Sequence, residues 1–295
     1  MGQGPELGLS QRLPLPDILT YGIYMKNLTA TICLMIAVLL GSAVVSWSAD
    51  LQKGLTAAKS GDYETALREW TPLAEQGDNS AQNNMGMMYE NGLGVLQNYK
   101  TAVKWYSLSA EQGNAFAQFY LGAMYVKGRG VPQDNKTAVK WYLLSAEHGF
   151  NPAQFNLGMM YENGLGVLQD YKTAVKWYSL SAEQGYVPGQ NNLGMMYENG
   201  LGVPQDDKTA VKWYSLSAEQ GYAEAQVNLG FMYANGQGVP QDYVRAHMWF
   251  NIAAISGLKD AVKNRDIAAK QMTPAQIAGA QKLTRECFRK KYKGC

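Results

Sequence analysis

The sequence predicts an all-α solenoid of antiparallel helix pairs, and three observations carry the prediction. Five units of 36 residues follow in phase, at 78–113, 114–149, 150–185, 186–221 and 222–257. Each unit holds two apolar stripes of helical period, parted by a glycine-containing turn. Neither stripe can be buried within a single pair, so unit must stack on unit. The first and third units differ at only five positions, which marks duplication inside the chain.

The chain opens with residues 1–24, a leader with no periodic pattern. "MKNLTATICLMIAVLLGSAVVSWSAD" follows, with one cation at Lys26, an apolar run from Leu28 to Val45 and small residues around Trp47. Residues 25–48 read as a secretory signal peptide cut before Ala49, which points to Met25 as the true start and to a leader that is spurious or disordered. That implies an exported chain, periplasmic or secreted. Residues 28–47 are also long enough to span a bilayer uncleaved, so a membrane anchor is the alternative. Within residues 49–77, "GDYETALREWTPLAEQG" matches only the second half of a unit and predicts an entry helix or partial repeat.

Unit 150–185 serves as the specimen for the rest. Ala153, Leu157, Met160 and Tyr161 fall on one face of a first helix, ended by Asn163 and Gly164. Gly158 sits beside that face, and its return at Gly86, Gly122, Gly194 and Gly230 predicts close approach of a second helix. Asp170 is placed to cap that second helix, as are Asp134, Asp206, Asp242 and Asn98 in theirs. Ala174, Trp177, Tyr178, Ser181 and Ala182 form its stripe, and Gly185 closes it. The "GLGVLQD" between the helices is not a dinucleotide loop, because Gln169 stands where the third glycine is required and no strand precedes it. After 257 the phase ends. Residues 258–295 predict one more helix, a break, and a helix opened by Thr273 and Pro274, then a basic tail.

Composition excludes little but directs the search. With 46% hydrophobic and 17% charged residues the chain is that of an ordered protein, and a net charge of +2 gives no ground for a nucleic-acid partner. His148 and His247 stand at different phases of different repeats, so neither a metal nor any other cofactor is expected. Cys287 and Cys295 suggest a disulfide in an exported chain, two free thiols being the alternative. The repeated Glu90, Glu162 and Glu198 lie in separate units and read as solvated or partner-facing side chains rather than acid–base pairs.

The pattern AxxxLGxxYxxGxGVxQDxxxAxxWYxxxAxxG resembles the Sel1-like repeat, a relative of the tetratricopeptide repeat with a longer inter-helix loop. The resemblance implies a right-handed superhelix of the bacterial exported type, with residues 258–295 as a C-terminal cap. It departs at Ser109, Ser145, Ser181 and Ser217, where the family often has alanine. It also implies that the first helix of each unit lines a concave face that binds a protein or peptide. That face would carry Asn83, Met87, Glu90 and Asn91 in the first unit, Phe119 and Lys127 in the second, and Phe155, Met159, Glu162 and Asn163 in the third. Asn191, Met195, Glu198 and Asn199 in the fourth unit and Phe231 and Asn235 in the fifth complete it. The expected role is a non-enzymatic exported scaffold, touching membrane only through an uncleaved signal segment or weakly through the basic tail. Two alternatives are a hydrolase of the β-lactam or peptidoglycan class and a secreted factor acting on host proteins. For the hydrolase, Ser256 to Lys259 gives a Ser-x-x-Lys match, but the accompanying Ser-Asp-Asn and Lys-Thr-Gly boxes are missing.

Overall fold

The structure, a computed structural model, describes residues 43–295. The leader and most of the signal segment lie outside the described residues. Regular structure among the described residues is helical: α1 (Ala43–Lys59), α2 (Tyr63–Glu75), α3 (Asn79–Asn91), α4 (Tyr99–Glu111), α5 (Ala115–Lys127), α6 (Asn135–Glu147), α7 (Asn151–Asn163), α8 (Tyr171–Glu183), α9 (Val187–Asn199), α10 (Asp207–Ala218), α11 (Ala223–Asn235), α12 (Tyr243–Ile255), α13 (Lys259–Ala269) and α14 (Pro274–Arg289). None of them is long and apolar enough to cross a membrane.

The chain divides into two compact units, with the boundary after Ala81 in the first turn of α3. In the first unit α1 packs along α2. A Cβ on Gly54 of α1 would meet the buried Trp70 ring of α2 at 2.3 Å, and Trp70 Nε1 donates to the Leu51 carbonyl (3.2 Å). Residues 49–77 therefore hold more than a lone entry helix: they close a helix pair whose connection, residues 60–62, is too short to carry the repeat motif.

In the second unit the helices alternate between first helices (A: α3, α5, α7, α9, α11) and second helices (B: α4, α6, α8, α10, α12). Each B helix packs against the A helix that follows it, which makes the array continuous. The local reasons repeat from pair to pair. Asp134, Asp170, Asp206 and Asp242 accept from backbone N–H groups in the first turns of α6, α8, α10 and α12, and Asn98 does so for α4. The A helices α5, α7, α9 and α11 end on left-handed glycines, with Gly164 at φ 66° as the example.

The recurrent helix glycines have a sharper cause than helix approach in general. A Cβ on Gly158 would stand 2.7 Å from the Tyr178 ring, so the glycine is a seat for an aromatic side chain. Gly86, Gly122 and Gly194 seat Tyr106, Tyr142 and Tyr214 in the same way, and Gly230 seats Phe250. The second glycine of the loop works between repeats. A Cβ on Gly166 (φ 73°) would meet the Asn135 backbone at 2.4 Å, where α6 of the preceding repeat begins.

Two buried polar ladders tie the repeats together. Ser145, Ser181 and Ser217 donate to the carbonyls of Ala115, Asn151 and Val187, at 2.7, 2.9 and 2.9 Å, so these serines join the two helices of one pair. Gln154 Nε2 donates to Ala146 of the preceding B helix (3.2 Å), while its Oε1 accepts from Gln184 of its own pair (2.8 Å). Gln118 and Gln190 repeat the first bond, and Gln82 and Gln190 the second. His148, in place of the usual glutamine, meets Gln118 at 3.2 Å. The ladder stops at Gln226, whose Nε2 reaches Ala218 but whose buried Oε1 has no partner, because Ser256 stands where a glutamine would donate.

The array is closed by the last two helices. Helix α13 packs on α12, and α14, opened by the capping box of Thr273 and Gln276, packs on α12 as well. Cys287 and Cys295 are joined, with Cα atoms 5.6 Å apart.

Candidate functional site

The expected site residues lie on the A helices, and the structure sorts them into three groups. Asn83 and Asn191 are buried and do not belong to an accessible surface. The helical wheel places them opposite the leucine stripe, yet at Asn191 the next A helix covers that position: Asn228 Nδ2 of α11 donates to Asn191 Oδ1 (3.0 Å).

A second group is held inside the pair. Glu162 and Glu198 accept hydrogen bonds from the hydroxyls of Tyr178 and Tyr214, and Glu90 accepts from Tyr106 at 2.8 Å. These glutamates are half-buried rather than solvated, which corrects the sequence reading. Burial first, and then the neighbouring carboxylate, pushes all three phenols well above 10. Where Val126 replaces the glutamate, Tyr142 is pushed up by burial only to about 12. In the fifth repeat both partners change together, to Ala234 and Phe250. Sequence reasoning missed this pairing, although that joint exchange was a signal within the chain's own repeats. From Glu162 the bonds run on: Tyr178 accepts from Asn192 (3.2 Å), Asn192 accepts from Asn191 (3.2 Å), and Asn191 accepts from Asn228, linking three repeats.

The third group faces outward. Asn91, Lys127, Asn163, Met195, Asn199, Phe231 and Asn235 are exposed, while Met87, Phe119, Phe155 and Met159 are half-buried. Phe119 meets Tyr142 and Phe150 at tilted and edge-on angles, 5.7 and 5.2 Å between centroids, and Phe155 meets Tyr178 and Tyr186 tilted at 5.8 and 5.5 Å, so these rings are partly engaged in packing. Met195 and Phe231 occupy the same position in adjacent repeats and are each 39% exposed.

Chemistry is sparse elsewhere. His247 is buried, and burial with the Arg265 guanidinium holds its imidazole below the usual range. Among the described residues no three ligating side chains gather into a metal site. Ser256 sits at the end of α12 with its hydroxyl donating to the Ile252 carbonyl (3.4 Å).

Antiparallel helix pairs in series, joined by buried hydrogen bonds, define a helical-repeat protein. More narrowly, the Sel1 repeat model matches residues 79–114, 115–150, 151–186, 187–222 and 223–258, and the chain belongs to the Sel1 repeat family. The matched repeats begin one residue later than the sequence phase chosen above. A Sel1 repeat protein from Oxalobacter formigenes is similar at 37% identity and TM-score 0.70, over 73% of this chain and 86% of that one. A protective antigen of uropathogenic Escherichia coli strains displaying an SLR fold is 30% identical over 83% of this chain and 69% of that one, with TM-score 0.36. No curated protein matches the chain.

Proposed function

We propose that the protein is an exported, non-enzymatic scaffold that holds an extended or helical peptide of a partner protein on the A-helix face. Family membership supports protein binding in general, since Sel1 repeat proteins bind other proteins. The observation that carries the finer reading is the apolar strip of Met195 and Phe231, exposed one repeat apart and flanked by Asn199 and Asn235. Methionine adapts to varied apolar partners, and asparagine amides pair with peptide backbone. Export rests on the signal segment, residues 25–48, and the Cys287–Cys295 bond is in keeping with an oxidising compartment.

Panning a displayed peptide library against the full chain tests the binding reading. Recovered peptides are expected to lose binding to a Met195→Asp, Phe231→Asp variant of unchanged melting temperature. Peptides that bind this variant as well as the parent would show the A-helix face to be the wrong surface. Amino-terminal sequencing of the exported protein checks the predicted start at Ala49.

A further inference from the structure

The outer sides of the B helices hold a second ordered surface. At one position of each B helix in the first four repeats stand Lys104, Lys140, Lys176 and Lys212. Among the described residues none of them has a carboxylate within ion-pair distance. One turn further on, Leu108, Leu144 and Leu180 are 38%, 41% and 37% exposed. Trp141 and Trp213 pack back onto the buried cores around Tyr106 and Tyr178 of the preceding pair. The first and third seams between these B helices therefore have a tryptophan at their base, with leucine and lysine exposed on the same helices.

The last seam shows what such a surface accepts. On α12 the lysine and leucine positions become Met248 and Ile252, and both are buried with Trp249 in one cluster with Cys287 of α14. Asn251 Nδ2 donates to Thr284 Oγ1 (3.4 Å), and the Gly294 N–H donates to Glu219 at the end of α10 (3.3 Å). The occupant is an amphipathic helix whose packed side is small, with Ala280, Thr284 and Cys287, and whose other side carries Lys282, Arg285 and Arg289.

We propose that the lysine-bearing B-helix seams of the first four repeats dock an amphipathic helix of a partner protein with an acidic flank. Continuity with the seam filled by α14 argues for a helix as the occupant. Charge sets its sign: under its own basic helix the chain carries methionine, whereas the open seams carry lysines without a carboxylate partner, Lys176 and Lys212 resting over the Trp177 and Trp213 rings at 5.7 and 5.6 Å. A second copy of α14 would set cation against cation. Complementary charge at such a rim governs which helix is accepted.

The test uses the full chain and a fluorescein-labelled peptide of about 18 residues, with leucines at i, i+3, i+4 spacing and glutamate elsewhere. Its anisotropy should report binding that weakens with salt. Binding should fall about tenfold in Lys140→Glu, Lys176→Glu and in Leu144→Ser, Leu180→Ser. The milder Lys140→Gln, Lys176→Gln variant should lose less, and Met195→Asp, Phe231→Asp should bind as the parent does, which separates this surface from the A-helix face. Circular dichroism melts confirm that the variants stay folded. The proposal is overturned by absence of peptide binding, by equal binding to the charge-reversed and parent chains, or by equal binding of a lysine-for-glutamate peptide. Capture of phosphatidylglycerol vesicles that the same variants abolish, without peptide binding, would assign the surface to lipid and overturn it as well.

Discussion

Tyr178 shows how a single hydroxyl can serve two repeats. It donates to Glu162 of its own pair and accepts from Asn192 of the next, so its loss strands two partly buried polar groups at once. Stranding such a group costs about 1–3 kcal/mol. Tyr178→Phe is therefore expected to destabilise the chain by about 2 kcal/mol in urea unfolding. Adding Glu162→Ala reproduces the combination that the fifth repeat carries as Ala234 and Phe250, and should recover about 1 kcal/mol of that loss. Strict additivity of the two substitutions would show the bond to be incidental.

The helix is the scale at which the sequence was most legible. Asp170, Gly164 and Gly185 mark helix ends through chemistry confined to a few residues, and α7 ends and α8 begins and ends where those residues place them. What stayed hidden joins residues far apart in sequence. The Glu162–Tyr178 bond spans 16 residues across a loop, and the Gln184–Gln154 bond spans 30. Neither follows from periodicity, because both depend on how one helix is turned against another. Asn191 was misplaced for the same reason: a single helix cannot reveal that Asn228 of the next will cover it. The caps also predict a pH response. Asp134, Asp170 and Asp206 lie below their ordinary value of 3.8, chiefly through hydrogen bonds from the threonine side chains at 137, 173 and 209 and then from backbone N–H groups. A depressed carboxyl adds stability that is present above 3.8 and lost as pH falls through the lower folded value. Asparagine caps nearly as well and does not titrate, as Asn98 illustrates for α4. An Asp134→Asn, Asp170→Asn, Asp206→Asn variant should thus show a smaller fall in melting temperature than the parent between about pH 5 and pH 2. Parallel acid transitions in the two proteins would remove the caps from the explanation.

At the scale of the molecule, the repeats share two fastening systems and differ in their surfaces. The buried serines and glutamines recur almost without change, as do the B-side lysines of the first four repeats, while the A-side position varies through Met87, Ala123, Met159, Met195 and Phe231. The glutamine ladder also shows where the fastening fails. Gln226 is fully buried with an unpartnered Oε1, and Ser256→Gln would place a donor where Gln220 serves Gln190 at 2.8 Å. That substitution is expected to raise stability by about 1 kcal/mol, read as a higher urea midpoint with an unchanged slope. No gain would mean that the orphaned oxygen is already satisfied by solvent.

The broken ladder bears on how such a chain can lengthen. A 36-residue block copied in register anywhere upstream of Gln226 brings both halves of its own glutamine link and inherits a neighbour for each. A block placed after Ser256 would bring its own link intact and leave the Gln226 oxygen unmatched where it is, inside the fifth pair. The unmatched oxygen thus belongs to the fifth pair and travels with any copy made of it, whereas the first and third units, which differ at only five positions, carry complete links.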